Sequence, residues 1–179
     1  VGDNRLNSAY NFDFLYASSL TPGRVRRAQS NWIGPVEDGW PSWAFSNHDA
    51  PRCVSRWYDG ADRNRFAKLT NALLLCLRGN PILYQGEELG LPQAEVPFDK
   101  LQDPEAIANW PLTLSRDGVR TPLPWEAEAQ NGGFSKGSPW LPVSAQNLNR
   151  AIDRQEADST SQLHLTRELL RLRRTNDAL

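Results

Sequence analysis

Two short apolar runs, "WAFSNHD" (residues 43–49) and "NPILYQGEE" (residues 80–88), each break directly into polar residues, and a stretch of helical periodicity separates them. The first reads as a strand over Ser42 to Ser46 that ends in Asn47, His48 and Asp49. The second reads as a buried strand over Ile82 to Tyr84 that runs into Gln85, Gly86, Glu87 and Glu88. Between them, Phe66, Leu69, Leu73, Cys76 and Leu77 recur at helical spacing from about Asp62, and Gly79 ends the pattern. A strand, a helix and a strand in succession imply a parallel pair joined by a crossover. In parallel α/β folds function collects at the carboxyl ends of strands, where both polar clusters fall.

The same alternation extends in both directions. "SAYNFDFLYA" (residues 8–17) alternates polar and aromatic residues as a strand does, and "TPGRVRRAQSNWI" follows as a helix with Thr21 at its N-cap and Pro22 at its first position. Gly34-Pro35 breaks that helix. The last helix spans about Ser159 to Arg174, capped by Asp158 or Ser159, with Leu163, Leu169, Leu170 and Leu172 on its apolar side. Between residues 85 and 157 periodicity is weak and proline is dense, while Trp110, Trp125 and Trp140 argue against disorder. An ordered, proline-stiffened loop beside the site is the expectation.

Bulk properties exclude several classes. A net charge of -1 gives no electrostatic reason to expect nucleic acid or an anionic membrane as partner. The arginines at 24, 26 and 27 and at 171, 173 and 174 read as solvated helix faces. The longest apolar run, Ala72 to Leu77, is far too short to cross a bilayer. Two cysteines make neither a disulfide framework nor a zinc site, and Cys76 is expected as a small buried residue. His48 and His164 lack metal-ligand spacing, and His164 reads as a polar position of the last helix. The chain opens on Val1 and contains no methionine, so it need not begin where its gene begins. With two cysteines and no leader pattern, a cytoplasmic location is the expectation.

The candidate chemistry has two readings at each place. On a strand His48 and Asp49 would point to opposite faces; at a turning strand end they line one pocket, or else Asn47 and Asp49 bond local backbone. Glu87 and Glu88 read equally as solvated loop carboxylates. Arg116 and Arg120 in "RDGVRTP" either clamp hydroxyls or flank a surface turn at Asp117-Gly118. No phosphate-binding glycine loop and no G-x-S-x-G elbow occurs. Residue types alone reach a parallel α/β chain with a polar cleft bordered by tryptophan.

Six stretches together resemble glycoside hydrolase family 13, the α-amylase family, in its bacterial α-glucosidase (oligo-1,6-glucosidase) branch. "WAFSNHD" resembles the region at the end of barrel strand seven, and "GNPILYQGEELGLP" the strand-eight region. "LQDPEAIANWP", "RDGVRTPLPW" and "NGGFSKGSPWLPV" resemble the long strand-eight loop, and "RLNSAYNFDFLYA" is similar to the strand-six segment. The resemblance implies that residues 1–179 form the C-terminal part of one (β/α)8 catalytic domain, a partial TIM barrel from about strand six to helix eight, with its extended loop at about 85–157. It implies that Asp49 is the family's third carboxylate, which stabilises the transition state, and that His48 and Arg116 bind the terminal glucose. Glu87 and Glu88 take structural roles in this reading. The implied substrate is a short α-linked glucoside, cleaved exo-wise with retention; no cofactor and no metal is implied for these residues. The family's nucleophilic aspartate and acid/base glutamate follow strands four and five, and neither is here. The isolated chain is therefore expected to be inactive, and to self-associate or pair with the rest of a barrel through an open sheet edge. The alternative is a non-catalytic sugar-binding or structural remnant.

Overall fold

The computed structural model describes residues 6–32, 39–58, 60, 62–113 and 115–176. Three parallel strands, β1 (Ser8–Asn11), β2 (Trp40–Ala44) and β3 (Asn80–Ile82), form a sheet in that order, with Ser8 opposite Trp40 and Ser42 opposite Asn80. The helices are α1 (Pro22–Ser30), α2 (Cys53–Arg56), α3 (Arg63–Cys76), α4 (Pro104–Ala108), α5 (Ala145–Leu148), α6 (Ile152–Glu156) and α7 (Gln162–Thr175). Thr21 caps α1 by accepting from the Arg24 N–H, as its sequence predicts. The predicted break at Gly34-Pro35 lies outside the described residues.

The first strand is shorter than alternation suggests. At its end the Asn11 side chain accepts the Asp13 N–H at 2.8 Å and turns the chain. Phe14 and Leu15, read as strand, instead plunge fully into the core. There Phe14 meets Trp43 and Phe45, and Phe45 meets Trp57, with ring centroids 5.0–5.4 Å apart in edge-to-face geometry.

Helix α3 packs Phe66 and Leu73 against the core, and its C-cap Leu77 within it, as the apolar pattern suggests, but its buried face is turned from the rest of that pattern. Leu69 is 57% exposed and Cys76 is exposed, whereas Ala67, Thr70, Asn71, Leu74 and Leu75 are buried. Polar residues tolerate that burial because each finds a partner. Thr70 donates to the Ala67 carbonyl, and Asn71 donates to the Glu87 carbonyl and to Thr166 Oγ1 on α7. Helix α7 returns the favour through Gln162, which donates to the Ala67 carbonyl. Ser161, not Asp158 or Ser159, caps α7, and its buried side is Gln162, Leu163 and Thr166, with Leu170 and Leu172 exposed. Near its far end Arg173 reaches the carbonyls of Leu75, Leu77 and Gly79, groups that the end of α3 leaves without helical partners. Gly79 has φ +132°, and a Cβ there would lie 2.4 Å from the Pro41 carbonyl oxygen, so the chain turns into β3 only with glycine.

The described residues between 85 and 157 include α4, α5 and α6, where little periodicity is visible in the sequence. Two small apolar clusters anchor them: Val96, Leu101, Ala106 and Leu141, and Leu89, Leu91 and Leu163. Trp110, Trp125 and Trp140 remain half-exposed or more. Among the described residues no helix is long and apolar enough to cross a membrane.

Candidate active site

Strand β2 delivers its polar end through a turn that serves both readings of it. Asn47 Oδ1 accepts the N–H groups of Asp49 and Ala50, each at 2.8 Å, so Asn47 spends its carbonyl on the local backbone. Its amide also reaches the Tyr10 hydroxyl at the end of β1, at 3.4 Å. Asp49 does not make such a bond. Its carboxylate points outward, 41% exposed at the side chain, into a cluster of cations.

That cluster comes from residues 116–120, more than sixty positions away. Arg120 Nη2 lies 3.2 Å and Arg116 Nη1 3.5 Å from Asp49 Oδ1, and His48 Nε2 lies 3.1 Å from Oδ2. Arg120 Nε also donates to the His48 carbonyl at 2.9 Å, tying the strand-end turn to the loop. His48 is mostly exposed. The structure thus brings His48, Asp49 and Arg116 together, and adds Arg120, which residue types alone left open.

Behind Arg116 sits a residue that sequence reading missed. Asp103, 1% exposed, accepts from Arg116 Nη2 at 2.5 Å, from Nε at 3.1 Å and from the Arg116 backbone N–H at 2.9 Å. The Arg116 guanidinium holds the Asp103 carboxyl down at about 2, and Asp103 in turn raises Arg116. The Asp103-Pro104 sequence signals only an N-cap, a role Asp103 also fills for Glu105 at 3.3 Å; nothing local predicts a partner thirteen residues on.

The second polar strand end behaves in the opposite way. Glu87 is not a solvated loop carboxylate: it is 7% exposed and accepts from Ser46 Oγ at 2.7 Å and from the Tyr84 N–H at 2.9 Å. Ser46 Oγ accepts the Cys53 N–H in turn, so β2, α2 and the end of the β3 run share one buried network. Arg52, 2% exposed, donates to the Gln85 carbonyl at 2.7 Å and to that of Val119 at 3.4 Å, with its guanidinium over the Tyr84 ring. Burial pushes the Glu87 and Glu88 carboxyls up and the Arg52 guanidinium down. These groups brace the strand ends and are turned away from solvent.

At the carboxyl end of β2 an open carboxylate thus has an imidazole and two guanidinium groups within 3.5 Å of it. Residues 6–179 match the alpha-amylase catalytic-domain family. The chain belongs to that family, glycoside hydrolase family 13. It is 46% identical over 99% of its length to a probable alpha-glucosidase of Rhizobium meliloti, and 28% identical over 97% to an oligo-1,6-glucosidase of Parageobacillus thermoglucosidasius. Among solved structures it superposes on the alpha-glucosyl transfer enzyme XgtA with a TM-score of 0.88 at 43% identity, covering 96% of this chain and 32% of that one. A trehalose-6-phosphate hydrolase of Bacillus licheniformis gives 0.82 at 29% identity, covering 96% and 36%. The chain spans about a third of the length of these relatives, 32% and 36% for the two glucosidases. Its three parallel strands and crossover helices are consistent with part of a TIM barrel.

Proposed function

We propose that this chain is the part of a (β/α)8 catalytic domain from about strand six to helix eight, within a retaining, exo-acting α-glucosidase that cleaves short α-linked glucosides. The observation that carries the reading is the Asp49 carboxylate, open to solvent at a strand end and ringed by His48, Arg116 and Arg120. In that role Asp49 accepts hydrogen bonds from sugar hydroxyls that tighten as the ring flattens toward an oxocarbenium ion. His48 donates to the same sugar, and Arg116 faces its far hydroxyls and closes the pocket.

The nucleophile and the acid/base group are supplied by strands outside this chain. Without them most of the rate is lost, so the isolated chain binds sugar at most and turns none over. Among the described residues β1 and β3 are the outer strands of an open sheet, and Phe12 and Tyr16, 55% and 66% exposed, add apolar surface beside β1, so the chain self-associates or pairs with the rest of a barrel. Both statements are tested on the isolated chain by an α-glucoside assay with light scattering. The expected result is no turnover and a mass above 20.2 kDa. A clean monomer would contradict the association, and turnover abolished by Asp49→Asn would contradict the assignment of the missing groups.

A further inference from the structure

We infer that Asp103 is a positioning residue for the cleft: its buried carboxylate holds the Arg116 guanidinium so that one nitrogen, Nη1, faces Asp49. The inference rests on the role proposed for Asp49.

Donor accounting carries the argument. A free guanidinium offers five N–H groups in a fork that suits a carboxylate two at a time. In Arg116 the Nε and Nη2 edge is taken up by Asp103, and the Arg116 backbone N–H bonds the same carboxylate. What remains toward Asp49 is Nη1 at 3.5 Å, a loose contact. The clamp is reciprocal. Asp117, fully buried, accepts the N–H groups of Gln102 at 2.7 Å and Asp103 at 2.9 Å, so each of the two segments holds the other's backbone. Gly118 closes the turn against residues 93–94: a Cβ there would lie 2.4 Å from the Ala94 carbonyl oxygen, and the Gly118 carbonyl accepts the Ala94 N–H at 3.0 Å. The loop therefore presents Arg116 from a fixed frame.

The consequence is a competition between two carboxylates for one fork. Asp103 wins it because it is buried and pre-positioned, and Asp49 takes only the loose Nη1 contact from Arg116 beside those from Arg120 and His48. If Asp103 is neutralised, the Arg116 fork is released toward Asp49, the carboxylate it already contacts, and closes over it. Asp103 then acts on the reaction only through Arg116, without touching substrate.

The test is kinetic, in the complete polypeptide that carries this segment, with Asp103→Asn, Arg116→Gln and the double variant, each checked by thermal melting. Asp103→Asn is expected to lower kcat/KM about tenfold, the scale of lost support behind a first contact. The double variant is expected to match Arg116→Gln alone, since a residue acting through Arg116 has nothing left to act on. Losses that multiply, or an Asp103→Asn variant with unchanged kinetics, overturn the inference. Should Asp103→Asn fail to fold, Arg116→Lys carries the test. It keeps the charge and loses the fork, so it is expected to be as impaired as Arg116→Gln, and wild-type kinetics there overturn the inference. Full activity in Asp49→Asn would instead overturn the role of Asp49 itself, which keeps the two failures apart.

Discussion

Two strand ends in this chain carry similar polar runs and have opposite fates. After β2, Asp49 stands open in a ring of cations; after β3, Glu87 is sealed among Ser46, Cys53 and Tyr84. The difference lies in what covers them. Helix α2 and the Arg52 side chain close over Glu87, whereas residues 116–120 approach Asp49 from one side and leave the other to solvent. The buried groups after β3 brace the strand ends, and the Asp49 carboxylate after β2 stays accessible to solvent.

Breaking the sealed side should cost the most stability. Arg52→Ala strips two carbonyls, those of Gln85 and Val119, of their donor inside the core and leaves a void. The expected loss is about 3 kcal/mol or more, read from urea unfolding. A loss under about 1 kcal/mol would mean that the network is wetter than its burial implies.

The two regions should also respond to pH with opposite sign. Asp103 has its carboxyl depressed from the ordinary 3.8 to about 2 by Arg116, so its contribution is present above the ordinary value and is lost as pH falls through about 2. Glu87 has its carboxyl raised by burial above the ordinary 4.5, so the folded state holds its proton more tightly than the unfolded chain does. Stability from Glu87 is therefore full below about 4.5 and declines as pH rises through its folded value. Melting profiles should show Asp103→Asn flattening the acid limb and Glu87→Gln flattening the upper one. The same limb affected by both variants would erase the distinction between the two sites.

Much of this frame is legible in the sequence, for identifiable reasons. Apolar runs that break into polar residues marked β2 and β3 to within two residues, but β3 spans Asn80–Ile82 with Ile82 exposed rather than a buried Ile82–Tyr84. Thr21 and Asp62 cap helix starts by local chemistry, while α3 ends at Cys76, before Gly79. The buried face of α3 was not legible, because Thr70 and Asn71 are inside through bonds to Ala67, Glu87 and Thr166, two of them distant in sequence. For the same reason Asp103 was not singled out and Asp117 read only as part of a surface turn. Their partners lie thirteen to fifteen positions away, on the other arm of a loop whose path no periodicity reveals. Asp49 and Arg116 were singled out by resemblance, and only the folded chain adds Arg120 beside them.

The smallest effect on stability should come from the residue proposed to matter most for activity. Asp49 is partly exposed and its ion pairs are solvent-facing, so Asp49→Asn should change stability by no more than about 0.5 kcal/mol. The measurement that tests the account most directly is the kcat/KM of that variant in the complete polypeptide, with an α-glucoside substrate and a melting curve beside it. The account predicts an unchanged melt and a fall on the order of 10²–10³, the scale of losing one preorganised transition-state contact. An unchanged melt with undiminished turnover would contradict it, and the cation-ringed carboxylate at the end of β2 would then be no part of the chemistry.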